Sequence, residues 1–75
     1  MRHISAVAQQ LLDVIPEEKT DLRSQIESIK NDTAYKAPEQ HHPYWNVLAS
    51  ILNKNCNPGN SEWELELSLI FAGEK

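Results

Sequence analysis

Three histidines and one cysteine are the side chains that metal or nucleophilic chemistry would draw on: His3, His41, His42 and Cys56. Adjacent histidines point in different directions on any regular backbone. Glu39 and Gln40, just before them, do not complete a ligand set at helical spacing. His41 and His42 therefore read as loop histidines exposed to water. Cys56 follows Lys54-Asn55 and has no histidine near it in sequence. A nucleophile needs a base in contact and a site for the developing oxyanion, so this thiol reads as filler for a gap in the core. No phosphate loop, dinucleotide fingerprint, nucleophile elbow or metalloprotease motif is present. The expectation is a chain that is not an enzyme and takes no metal and no cofactor.

The aromatic residues suggest other chemistry. Trp and Tyr are common anchors of protein interfaces, and this chain has Tyr35, Tyr44, Trp45 and Trp63. From their helical positions the two tryptophans are expected mainly in the core. Tyr35, Tyr44 and the His41-His42 corner are the surface candidates, expected to gather near the start of the central helix.

Charge narrows the partners. Eleven acidic residues against seven basic give a net charge of −4. Nucleic-acid binding needs a concentrated basic surface to displace phosphate counterions, and adsorption to anionic lipid needs the same. No apolar run approaches the length that spans a bilayer, and the N-terminal stretch has no signal-peptide pattern. A lone cysteine in so short a chain fits a reducing compartment. The expected setting is soluble and cytoplasmic, with a protein partner, no nucleic acid and no membrane. Seventy-five residues form one domain, 1–75, close to the smallest size that folds alone. A core this small adds little net stability, so self-association is a further expectation.

The elements that position these residues follow from apolar spacing. Ile4, Val7, Ala8, Leu11, Leu12, Val14 and Ile15 recur at the period of a half-buried helix, predicting one over 4–15. Pro16 ends it and suits the first position of another. That second helix is expected over 16–35, with the narrow stripe Leu22, Ile26 and Ile29, extended by Ala37. Between Pro38 and Pro43 a short turn and a fresh helical start are expected, since one regular helix cannot hold both prolines. The densest apolar stretch, Pro43 to Cys56, covers an arc of about 200° on a helical wheel. It is expected to be the central helix, about 43–56, with its flanks wrapped around it. Asn53 to Asn60, with Pro58-Gly59, is turn punctuation.

After Ser61 two readings compete. Trp63, Leu65, Leu67 and Leu69 alternate with Glu62, Glu64, Glu66 and Ser68 as in a strand. The same residues are good helix formers behind a Ser61–Glu64 capping pattern, and no partner strand exists elsewhere. Helix is favoured for 62–72, with Gly73 as its stop. A helix here has Trp63, Leu67, Ile70 and Phe71 on one face and leaves Leu65, Leu69 and Ala72 on the other. That second stripe is expected to be a contact surface. The whole reads as an all-α bundle of three to four helices. Its expected role is a non-enzymatic protein-binding module, such as an acidic inhibitor, an immunity-type partner or a small adaptor. The alternative is a structural homodimer or the small subunit of an assembly, held by the Leu65, Leu69, Ala72 stripe.

Overall fold

The computed structural model describes residues 3–74. Four helices follow in order: α1 (Ile4–Val14), α2 (Thr20–Thr33), α3 (His42–Asn55) and α4 (Glu62–Glu74), with a single 3-10 turn at Pro38–Gln40 between α2 and α3. No strand occurs among the described residues, so the chain is the small all-α bundle its periodicity predicts.

The first helix behaves as its spacing demands. Ile4, Val7, Ala8 and Leu11 are wholly buried, and Leu12 and Ile15 nearly so. Burying a side chain of this kind stabilises by about 1.5–3 kcal/mol. The helix packs against both α2 and α4. Pro16 forces Ile15 into an extended conformation and stops α1 there. The carbonyls left over at that end are met from outside: the Arg23 guanidinium donates to Leu12 O at 2.7 Å and Ile15 O at 2.9 Å.

The second helix begins four residues later than expected. Pro16 does not open it; its carbonyl accepts from the Lys19 N–H at 3.1 Å and closes a turn. Since α1 and α2 pack on each other, the chain must reverse between Ile15 and Thr20, and the proline is used there. Leu22, Ile26 and Ile29 form the narrow buried stripe foreseen, but Ala37 is not part of it, because the helix ends at Thr33 and Ala37 leads into the 3-10 turn. At the far end the Thr33 hydroxyl, also buried, donates back to Ile29 O at 2.9 Å. The helix ends there, short of Tyr35.

The short turn before Pro43 is present, and α3 starts at His42 with the proline in its first turn, where the missing N–H costs nothing. In α3, Trp45, Leu48 and Leu52 are buried, while Tyr44 and Ile51 are partly covered. Val47, counted in the apolar arc, is 49 % exposed. The helix expected over 43–56 thus lies in the bundle with one side bare, and α1 is the more completely enclosed of the two.

The segment after Ser61 is helical. Leu67 is wholly buried, and Trp63, Ile70 and Phe71 pack on the core. The Phe71 and Trp45 ring centres are 5.7 Å apart. Gly73 is no stop: α4 runs through it to Glu74. A glycine ends a helix by adopting a left-handed conformation, and no glycine among the described residues has positive φ.

Candidate functional site

Two places gather the residues singled out above: the corner where α1, the end of α2 and the start of α3 meet, and the outer face of α4.

At the corner, the first N–H groups of α1 need acceptors because no preceding turn supplies them. Two histidines provide them. Nδ1 of His3 accepts from the Ser5 N–H at 3.2 Å and from its hydroxyl at 2.6 Å. Nδ1 of His41 accepts from the Ile4 N–H at 3.4 Å. The next two N–H groups, of Ala6 and Val7, reach the His3 carbonyl. On the opposite edges, His3 Nε2 and His41 Nε2 lie 2.8 and 3.0 Å from one carbonyl, that of Lys36. These bonds agree with each other only if each ring carries its proton on Nε2 and leaves Nδ1 as acceptor. The two rings meet edge to face with centres 4.1 Å apart.

His41 is therefore not the exposed loop residue the sequence suggests. It is 1 % exposed and offers no surface to a partner. Its ring has an apolar body that packs, and its polar atoms are taken by the Ile4 N–H, 37 residues away in sequence, and by the nearby Lys36 carbonyl. Tyr44 is half-buried; its ring sits edge-on to His41, centres 6.4 Å apart. The Lys36 ammonium donates to the Tyr44 hydroxyl at 2.5 Å and lies 5.0 Å from the ring centre. That places the cation beyond the hydroxyl rather than above the ring face, so the contact is a hydrogen bond and not a cation–π pair. The bond raises the Lys36 pKa, chiefly through the Tyr44 hydroxyl. His42 and Tyr35 stay on the surface, Tyr35 fully exposed. The corner is a capping device, and of its two capping rings only His41 is a residue the sequence marks as a contact.

The α4 face is laid out as expected. Leu65 and Leu69 are 46 % and 64 % exposed, Ala72 is exposed beside them, and the buried Leu67 points the other way. Glu62 and Glu66 are exposed next to the leucines. Glu64 is turned inward instead. It accepts from the Ser61 hydroxyl at 2.6 Å and from the Asn57 N–H at 2.8 Å. Those two bonds, in that order, hold its carboxyl below the usual range, with a smaller contribution from Lys19. This ties the Asn-Pro-Gly loop to the helix it precedes.

Elsewhere among the described residues no reactive constellation forms. Among the described residues no three His, Cys, Asp or Glu side chains converge as a metal site requires. Burial, and secondarily Glu64, push the Cys56 thiol up, away from the thiolate that nucleophilic chemistry uses. Depressions of about 270 and 230 Å³ lie beside Lys19 and beside Cys56. Both are smaller than the pockets that enclose small ligands. No helix among the described residues is long and apolar enough to cross a membrane. Val47 is the exposed apolar residue that sequence reasoning missed, because it falls inside the apolar arc of α3. No family model, curated protein or solved structure matches this chain.

Proposed function

We propose that the protein is a non-enzymatic binding module that docks another protein through the outer face of α4. An inhibitor, an immunity-type partner or a small adaptor would each act this way. The reading rests on one observation: Leu65, Leu69 and Ala72 stand in water on a helix whose other face already fills the core. An apolar stripe left open on a folded helix is what a partner covers. The single cysteine supports a reducing, cytoplasmic setting.

Affinity capture with wild-type protein and with Leu69→Glu tests this. Melting temperatures measured alongside confirm that both fold. A protein retained in stoichiometric amount by the wild type and lost by the variant supports the reading. Capture of nothing, or of the same proteins by both, overturns it. Sedimentation adds the competing outcome: a concentration-dependent dimer abolished by Leu69→Glu assigns the stripe to a second copy.

A further inference from the structure

The exposed face of α4 has two parallel rows. Leu65, Leu69 and Ala72 form one; Glu62 and Glu66 lie roughly 70° further round and form the other. The two glutamates are four residues apart on the same side of the helix, where like charges repel. Neither has a cationic partner among the described residues, and no described residue of α4 is basic. Glu62, in the first turn, is favoured by the helix dipole, yet neither carboxylate is met by a cationic side chain, and an apolar row beside such an acidic row is one half of a complementary pair. We propose that the α4 face receives a basic amphipathic helix of a partner protein. Its apolar stripe covers Leu65, Leu69 and Ala72, and its Lys or Arg side chains along one flank meet Glu62 and Glu66.

This rests on the docking role proposed above and names the chemistry of the partner. A second copy of the chain fits the face poorly. Two α4 helices side by side in parallel set Glu62 and Glu66 against themselves. Antiparallel, they set those carboxylates toward the carbonyl end of the twin's helix, which is the negative end of its dipole. A basic helix relieves the repulsion and extends the contact past the apolar row.

The test uses the full chain and two synthetic helical peptides with the same leucine stripe, one flanked by lysines and one by glutamates. Amide chemical shifts of the ¹⁵N-labelled protein are followed during titration. The lysine peptide is expected to shift residues 62–72 saturably and the glutamate peptide to leave them unmoved. Affinity for the lysine peptide should fall as salt rises. Changing Glu62→Gln together with Glu66→Gln should weaken it about tenfold, at about threefold per exposed ion pair. The double charge reversal, Glu62→Lys with Glu66→Lys, should transfer the preference to the glutamate peptide. Equal response to the two peptides, no response to the lysine peptide, or no effect of the glutamine pair overturns the proposal. If Leu69→Glu abolishes capture of a partner while the glutamine pair leaves it intact, docking at the stripe stands and the basic helix falls.

Discussion

His41 offers a substitution that separates two hydrogen bonds made by one ring. Asparagine at this position puts its amide oxygen near the place of Nδ1, so His41→Asn keeps an acceptor for the Ile4 N–H and gives up the bond to Lys36 O. Glutamine puts its amide nitrogen near the place of Nε2, so His41→Gln keeps the Lys36 bond and gives up the acceptor. The losses are unequal. The Lys36 carbonyl still has His3, whose Nε2 is 2.8 Å away. The Ile4 N–H has nothing else, and Ile4 is wholly buried. Orphaning a buried donor costs about 1–3 kcal/mol. The 3.4 Å separation is long for such a bond and places this one near the low end. Both variants lose ring packing to a similar degree, so His41→Gln is expected to be less stable than His41→Asn by about 1 kcal/mol. In a domain of this size about 1 kcal/mol moves the melting temperature by 4–8 °C. Thermal and urea unfolding of the two variants, with exposed His42→Asn as control, measure this. The control should stay within about 0.5 kcal/mol of wild type. His41 variants as mild as the control, or a glutamine variant at least as stable as the asparagine one, would refute the capping role assigned to this ring.

Three further outcomes follow from other contacts. Glu64 has a folded-state pKa below its unfolded one, so its contribution is fully present above the ordinary glutamate range and lost as pH falls through the lowered value. Glu64→Gln should therefore flatten the fall in stability between about pH 5 and 3, as read by urea midpoints; an unchanged slope counts against the Ser61 and Asn57 bonds. Arg23→Met keeps most of the stem but frees the Leu12 and Ile15 carbonyls, at an expected cost of about 1–3 kcal/mol. A loss that small surface substitutions also produce would remove the arginine as the cap of α1. Gly73→Ala should stabilise by up to about 1 kcal/mol, because residue 73 is helical and an added Cβ meets nothing within 4 Å. A destabilised variant would mean that α4 stops before residue 73.

Elements whose evidence is local were legible in the sequence, and those whose evidence is distant were not. Ile4, Val7, Leu11 and their neighbours repeat at helical spacing, and α1 follows within one residue. The Leu65, Leu69, Ala72 row is legible for the same reason, since a helix with Trp63 and Leu67 inward leaves those residues outward. Pro16 was ambiguous because a proline serves a turn as well as a helix start, and the packing of α1 on α2 decides between them. Apolarity around α3 overstated its cover at Val47, since hydrophobic character marks what can be buried and not how many neighbours arrive. His41 was misplaced because its partners are backbone atoms, which no pattern of side chains records, and one of them, Ile4 N–H, is 37 residues away.

The packing of α4 on α1 joins the last helix of the described chain to the first. As the chain leaves a ribosome, the apolar side of α1 has α2 for company early but must wait for α4. Contacts this far apart along a polypeptide form slowly and leave greasy surface uncovered in the interval. Cleavage in the Asn57–Asn60 loop before closure would therefore strand the first three helices with a raw flank, and such nicked material should clump more readily than the intact bundle.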